Sequence, residues 1–232
     1  MTIQSAEVHN FFTKTETESS FEVVYSPEDL VGGDFYRIDR VGADTYAVMV
    51  ADVMGHGVAS ALYTMQLRSL WEECHQAILS PARFVSELNC RLHRLASPDG
   101  YFATAVFVLF DAVTGRIRYV RAGHPAPILL RANGGVERLN ATSPAIGLLA
   151  DASYHEAQCH LDAGDSLVLF TDGAVEILNA AEEPLDDAGL VRLLEASGRP
   201  RPDLRRLERQ LLEFSNQIRL PDDLTLLSLH RT

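Results

Sequence analysis

The sequence has few cysteines, no long hydrophobic run and no start typical of an exported protein. Its three cysteines form no C-x-x-C pair, which argues against a disulfide framework or a structural zinc site and predicts a reduced, cytoplasmic chain. Apolar runs such as Ala105–Phe110 and Ser166–Phe170 are far shorter than the ~20 residues that a membrane-spanning helix needs. A basic start followed by an apolar stretch is missing, so no signal peptide is predicted.

Positive charge is also scarce. Lys and Arg total 20 against 32 Asp and Glu, and the formal net charge is −12 over 232 residues. Nucleic-acid binding depends on neutralising phosphates with Lys and Arg, so the deficit argues against a nucleic-acid partner. It does not exclude binding of phosphate through a metal ion. With 47% hydrophobic and 22% charged residues, the composition is that of a folded globular protein.

Strand and helix patterns occur in separate runs along the chain. This arrangement predicts an α+β fold with largely antiparallel sheets rather than a βαβ alternation. We expect a tail or linker over 1–20 and one domain over 21–232. The predicted strands are 21–25, 45–53, 102–111, 116–122, 126–132, 166–170 and 224–230, and the predicted helices are 58 to about 78, one beginning at Pro81, 188–196 and 204–218.

Aspartates recur next to apolar strands and small residues. Asp34 follows two glycines at a strand start, Asp52 ends a buried apolar strand, and Asp172 follows another; Asp222 and Asp223 directly precede the last strand. A carboxylate beside a buried strand must be solvated, hydrogen-bonded or paired with a cation. Each one alone could be a turn or helix-cap aspartate. Together they indicate oxygen ligands for a hard cation and a metal-dependent hydrolase.

Six segments in the same order resemble the metal-dependent protein phosphatase (PPM) family, in its bacterial SpoIIE-like branch that regulates sigma factors. They cover nearly everything from about residue 20 onward. The segments are VGGDFY at 31–36, ADVMGHGVASAL at 51–62, FATAVFVLFD at 102–111, RAGHPAPILL at 121–130, GDSLVLFTDGAVE at 164–176 and DDLTLLSL at 222–229.

The resemblance implies two stacked antiparallel β-sheets flanked by helices, a four-layer sandwich, with two Mn²⁺ or Mg²⁺ ions at the sheet edges. Asp52 matches the carboxylate that bridges both ions, and the carbonyl of Val53 matches the next ligand. Asp172 and Asp222 match ligands of one ion. Asp34 matches the acidic residue on the side of the other ion, and Asp223 is a weaker ligand candidate.

The activity implied is hydrolysis of phosphoserine or phosphothreonine on a protein by attack of a metal-bridging hydroxide, with Asp52 and Asp172 as the catalytic residues. Two cations about 3.5–4 Å apart can lower the pKa of water and hold phosphoryl oxygens. No protein nucleophile is then needed, in keeping with a sequence that contains no G-x-S-x-G, H-E-x-x-H or P-loop motif.

Some positions depart from the family pattern or keep an ordinary interpretation. Many relatives carry an Asp where this chain has Arg37, which either faces a substrate phosphate or is a solvated surface residue. His124 is interpreted as a structural turn histidine, and Thr104 as a residue packed in the sheet.

The resemblance implies a phosphorylated anti-sigma-factor antagonist as substrate, and a homodimer through the two helices at about 58–97. Two alternatives stay open. One is a catalytically weak or inactive phosphatase-like binding module, which Arg37 favours. The other is a two-metal phosphodiesterase or nucleotidase that acts on small molecules.

Overall fold

A computed structural model describes residues 11–12, 19–28, 31–95 and 100–232. Two 3-10 turns, His75–Ala77 and Asp172–Ala174, accompany the helices and strands of this part of the chain. Its strands are β1 (Phe11–Phe12), β2 (Ser19–Ser26), β3 (Asp34–Arg40), β4 (Thr45–Val53), β5 (Ala103–Asp111), β6 (Arg116–Ala122), β7 (Ile128–Leu130), β8 (Val136–Arg138), β9 (Ala157–His160), β10 (Ser166–Phe170) and β11 (Leu224–Arg231). Its helices are α1 (Val58–Glu73), α2 (Pro81–Leu95), α3 (Asp186–Ser197) and α4 (Leu204–Ser215).

The predicted α+β class with antiparallel sheets is confirmed, because every pairing between neighbouring strands is antiparallel. Of the segment 1–20 that was predicted to be a tail or linker, residues 1–10 and 13–18 lie outside the described residues. Phe11 and Phe12 form β1, which pairs with Phe21 and Ser20 of β2.

The described residues divide into two compact units, each with one sheet. The five-strand unit comprises 31–95, 100–124 and 140–160, with strand order β3-β4-β5-β6-β9. The six-strand unit comprises the described residues up to 28, 125–139 and 161–232, with strand order β1-β2-β11-β10-β7-β8.

In the five-strand unit, β4 is an inner strand between β3 and β5. Six consecutive residues, 46–51, are buried, as the continuous apolar run predicts for a strand covered on both faces. Helices α1 and α2 pack their apolar residues on this sheet. Trp71 of α1 meets Phe84 of α2 edge to face with ring centroids 5.1 Å apart, and Phe84 lies 4.6 Å from Phe107 of β5.

Hydrogen bonds connect α2 to the loop that precedes β9. The buried Asn89 accepts from the Gly147 backbone N–H at 2.7 Å and donates to the Leu149 carbonyl at 2.9 Å. Ile146, beside Gly147, exchanges two backbone hydrogen bonds with Ala103 at the start of β5. Helix α2 is therefore connected to β5 by polar contacts as well as by its apolar face.

In the six-strand unit, β11 lies between β2 and β10 and is buried over nearly its whole length. Helix α4 begins at a cap in which the Asp203 side chain accepts from the Arg206 backbone N–H at 2.8 Å. Leu204, Leu207 and Leu211 form its buried stripe, with the spacing that one helix face requires.

None of the helices in the described part of the chain combines the length and the hydropathy that a membrane span requires.

Candidate metal centre

Two of the predicted ligands face each other in the five-strand unit. Asp34 and Asp52 are register partners across the antiparallel pair of β3 and β4. Residues directly opposite in such a pair share a face, with Cβ atoms about 4.5–5.5 Å apart. Asp34 is only 5% exposed, whereas Asp52 is half-buried. The sheet therefore holds two carboxylates side by side at its edge.

The Val53 carbonyl, a further predicted ligand, is held by backbone contacts on two sides. The Val53 N–H donates to the Gly33 carbonyl at 3.1 Å, and the Met54 N–H donates to the Phe102 carbonyl at 3.0 Å. A Cβ on Gly33 would lie 2.8 Å from the Val53 carbonyl oxygen. The glycine thus allows the start of β3 to lie directly against Val53.

The remaining predicted ligands lie in the six-strand unit, at one end of the β10–β11 pair. Asp172 opens the 3-10 turn after β10, and Asp222 and Asp223 precede β11. Thr171 joins the two segments, because its N–H donates to the Thr225 carbonyl at 3.1 Å and its hydroxyl accepts from the Thr225 N–H at 2.9 Å. Strand pairing therefore places these aspartates at the same sheet edge.

Gly173 makes this approach of the two segments sterically feasible. A Cβ at this position would overlap the Asp223 carbonyl and would lie 3.7 Å from the Asp222 Cβ. Asp222 is exposed and accepts from the Asp223 N–H at 2.8 Å, whereas the buried Asp223 carboxylate accepts from the Glu28 N–H at 2.8 Å. The turn and the strand start form one compact acidic corner.

Burial raises the pKa of the Asp172 carboxyl, and the negative charges of Glu176 and Asp223 act in the same direction. Backbone N–H groups at residues 172 and 173 oppose the shift without cancelling it. A half-buried carboxylate beside two further carboxylates is destabilised electrostatically, and a divalent cation would reverse the sign of that interaction.

The donors in both units are chemically suited to hard divalent cations. Carboxylate and carbonyl oxygens are the ligands that Mg²⁺ and Mn²⁺ prefer. Within the described ranges, no group of three or more His, Cys, Asp and Glu side chains is gathered in a way that could hold a metal ion. The structure places Asp34 beside Asp52 in one unit, and in the other it places Asp172 at the same sheet edge as Asp222 and Asp223 without gathering the three side chains into one group.

Arg37 lies three residues along β3 from Asp34 and belongs to an ion-pair network. Its guanidinium donates to Asp39 at 3.0 Å and to Glu72 of α1 at 2.6 Å, and it lies 5.5 Å from the Trp71 ring centroid. The Trp71 indole N–H donates to Asp39 at 2.7 Å. Arg37 therefore ties β3 to α1 with its charge balanced by two carboxylates.

Two residues beside the predicted ligands were not predicted to belong to the site: Glu176 had no assigned role, and Thr104 was interpreted only as packed in the sheet. Glu176 follows Asp172 by one helical turn, a spacing that could have indicated their proximity. Thr104 is the register partner of Asp52 on β5. A strand register over so many residues leaves no local signal in a sequence.

Several solved structures share this fold. The SiaA-PP2C domain of Pseudomonas aeruginosa matches 90% of this chain and 85% of its own with a TM-score of 0.79 and 26% identity. RsbX in complex with magnesium matches with a TM-score of 0.68 and 15% identity over 97% of this chain and all of its own. The catalytic domain of the serine/threonine protein phosphatase PstP in complex with two manganese ions matches with a TM-score of 0.64 and 17% identity. The match covers 92% of this chain and 98% of that structure. The predicted fold class is confirmed.

The chain belongs to the family of stage II sporulation protein E (SpoIIE), whose model matches residues 42–232. Phosphoserine phosphatase RsbP of Bacillus subtilis is 34% identical over 66% of this chain and 38% of its own length. Phosphoserine phosphatase RsbU of the same organism is 24% identical over 71% of this chain and 49% of its own length. This chain thus spans less than half the length of these relatives.

We expect Gly173→Ala to destabilise the six-strand unit. The added methyl group overlaps the Asp223 carbonyl, so the backbone of the acidic corner must shift, at a cost of about 1–3 kcal/mol. Gly42→Ala is the matched control, because a Cβ there meets only Thr45 in an exposed turn. Thermal unfolding with EDTA present measures both; equal melting temperatures for the two variants would contradict the steric argument.

We expect Asp172→Asn to stabilise the metal-free protein at neutral pH. Because the folded-state pKa of Asp172 is raised, the folded chain binds that proton more tightly, and stability is lost as pH rises through this pKa. The neutral amide removes this loss, so the melting temperature in EDTA should rise at pH 7. This gain in melting temperature should shrink as the pH is lowered towards the ordinary Asp pKa of about 3.9. Asp151→Asn, at an exposed position, should change little; a fall for Asp172→Asn at pH 7 would refute the reasoning.

Proposed function

We propose that this chain is a divalent-metal-dependent protein phosphatase that hydrolyses phosphoserine or phosphothreonine on a regulatory protein. The observation that carries the proposal is the facing pair of Asp34 and Asp52 on adjacent strands. Like charges directly opposite in a sheet are destabilising, so their placement serves chemistry rather than folding. The names of RsbP and RsbU, both phosphoserine phosphatases, support the reaction type.

The proposed cofactor is a pair of Mn²⁺ or Mg²⁺ ions. Bound divalent ions would lower the pKa of water and withdraw negative charge from phosphoryl oxygens. Asp52 is proposed to contribute a carboxylate to both ions, with the Val53 carbonyl and Asp34 as donors beside it. Asp172 and Asp222 are proposed as ligands of one ion, and Asp223 as a further donor.

The geometry of the chain's own residues supports these roles. Backbone hydrogen bonds from Val53 and Met54 fix the carbonyl beside Asp52. The half-buried position and acidic neighbours of Asp172 favour a cation beside its carboxylate. Oxygen donors that are fixed before binding require little reorganisation when ions enter, which favours a tight site.

The substrate that we infer is a phosphorylated anti-sigma-factor antagonist in the cytoplasm. Support comes from family membership and from the two phosphoserine phosphatase relatives, RsbP and RsbU. The net charge of −12 is consistent with a protein substrate that is recognised through metal ions rather than through a basic surface.

We expect Mn²⁺-dependent release of phosphate from a phosphoserine protein of this antagonist type. Asp52→Asn and Asp172→Asn should each lower the rate by about 100-fold or more, because direct ligands matter more than the outer contacts that typically contribute 10–100-fold. Asp151→Asn, with the same chemical change at an exposed position, should retain the wild-type rate. Unchanged rates for both ligand variants would refute the two-ion mechanism.

Two controls separate the competing functions in that assay. Faster hydrolysis of nucleotides than of the phosphoprotein would favour a small-molecule phosphodiesterase or nucleotidase. Titration calorimetry with Mn²⁺ tests the binding module, because a chain that binds the phosphoprotein without saturable metal binding would be a scaffold.

We also propose a homodimer through α1 and α2. Helix α1 exposes Val58, Leu62 and Met65 at 71%, 60% and 60%, and their i, i+4, i+7 spacing places them on one face. Contiguous apolar groups of this kind on a helix mark a protein-binding surface rather than a monomer surface.

We expect Leu62→Glu to shift the chain from dimer to monomer, because a charge at the centre of this stripe cannot be desolvated at an apolar contact. Val113→Glu is the matched control, since Val113 is an exposed apolar residue in the β5–β6 turn of the same unit. Sedimentation equilibrium of the wild type and both variants measures the effect. A monomeric wild type, or a dimer that persists in Leu62→Glu, would contradict the proposal.

A further inference from the structure

A residue of a third strand lies beside the two facing carboxylates of the five-strand unit. Asp34 is opposite Asp52 on β4, and Asp52 is opposite Thr104 on β5. Partners that lie directly opposite across antiparallel strands have side chains on one face of the sheet. The half-buried Thr104 hydroxyl therefore lies in a row with the two carboxylates, next to the one proposed to contact both ions.

His124 holds this hydroxyl from the other side. Its ring nitrogen Nδ1 lies 2.8 Å from Thr104 Oγ1, and the histidine is only 1% exposed. Gly123 has a φ of 68° and forms a parallel bridge with Ala105, one residue beyond Thr104. The positive φ favours glycine at this turn. The turn places His124 beside Thr104 of β5.

Arg121 in turn fixes the position of the His124 backbone. Its guanidinium donates to the His124 carbonyl at 2.6 Å and to the Asn140 and Ala141 carbonyls at 2.8 and 3.1 Å. A side chain with its three nitrogens on three carbonyls has one orientation. The imidazole is consequently supported by a rigid turn rather than by a flexible loop.

We propose that Thr104, oriented by His124, is a positioning residue for Asp52 in the proposed phosphatase. With the proton of His124 on Nδ1, the imidazole donates to Thr104 Oγ1. The Thr104 O–H proton is then left for its register partner Asp52, since a hydroxyl has one proton to donate and can accept others. A fixed Asp52 rotamer presents its oxygens to both ions in one orientation, as outer contacts do for metal ligands generally.

Thr104→Val tests this role, because it removes the hydroxyl and keeps the branched shape that suits a strand. We expect the Mn²⁺ dissociation constant from calorimetry to rise about 10-fold and kcat to fall by a similar factor. KM should stay near the wild-type value, because Thr104 is not proposed to touch the substrate. Thr104→Ser should restore both quantities to within about two-fold, since it restores the hydroxyl.

Thr45→Val is the matched control, with the same substitution at the far end of β4. It should leave Mn²⁺ affinity and kcat unchanged. Thermal unfolding in EDTA should give a lower melting temperature for Thr104→Val than for the wild type, because the buried His124 N–H loses its acceptor. If Thr104→Val does not fold, the pair Thr104→Ala and Thr104→Ser decides, because these two differ by a single hydroxyl.

The role of His124 is tested separately by replacing the N–H donor at its Nδ1 position. An Asn side chain can place an amide N–H near the position of Nδ1, whereas Leu offers no donor. His124→Asn should therefore retain most Mn²⁺ affinity, and His124→Leu should lose as much as Thr104→Val. Equal losses in the two His124 variants would overturn the proposed orientation of Thr104.

Wild-type Mn²⁺ affinity and kcat in Thr104→Val would overturn the positioning role, and so would an equal loss in Thr104→Ser. Asp52→Asn, run in parallel, reports on the proposed function itself. If Asp52→Asn binds Mn²⁺ and hydrolyses phosphoprotein like the wild type, the two-ion site is wrong. If only Asp52→Asn loses these properties, the site is supported and the role of Thr104 is refuted.

Discussion

Repulsion between carboxylates held at sheet edges is the constraint on which the rest of each unit depends. Asp34 faces Asp52 across two strands, and Asp172 lies beside Asp223 and Glu176. Apolar burial at roughly 25 cal/mol per Å² has to offset this cost. The buried strands β4 and β11 supply such burial directly next to the charges.

Asp165 shows what a structural aspartate looks like in the same chain. It too is buried beside an apolar strand, yet its carboxylate contacts Arg131 at 2.7 Å and accepts from the Ala132 and Asp162 N–H groups at 2.9 and 3.0 Å. The neighbours that shift Asp172 are acidic instead. Sequence position alone does not separate these two aspartates, because the difference lies in the charge of neighbours brought near by folding.

Strands β4, β6 and β10 were predicted to the residue, because unbroken apolar or alternating runs end at turn residues. The strand β9 was missed: it is a short edge strand with exposed Gln158 and His160, so little apolar pattern marks it. Helix α4 ends at Ser215 rather than at 218, because Asn216 adopts a left-handed conformation with φ of 52°. Local patterns thus mark strands that have a continuous apolar run, and they miss an edge strand that tertiary pairing creates.

The candidate ligands could be predicted from sequence, but their support could not. The position of Thr104 opposite Asp52 follows from strand register, which no local pattern encodes. The same register pairs Ala103 with Val53. Ala103 also exchanges backbone hydrogen bonds with Ile146. The next residue, Gly147, donates its backbone N–H to Asn89 of α2. A shift of α2 must therefore be absorbed in that loop or at the start of β5. The surface proposed for dimerisation lies on α1, which packs against α2 through Trp71 and Phe84, so contiguous contacts connect that surface to the strand that carries Asp52.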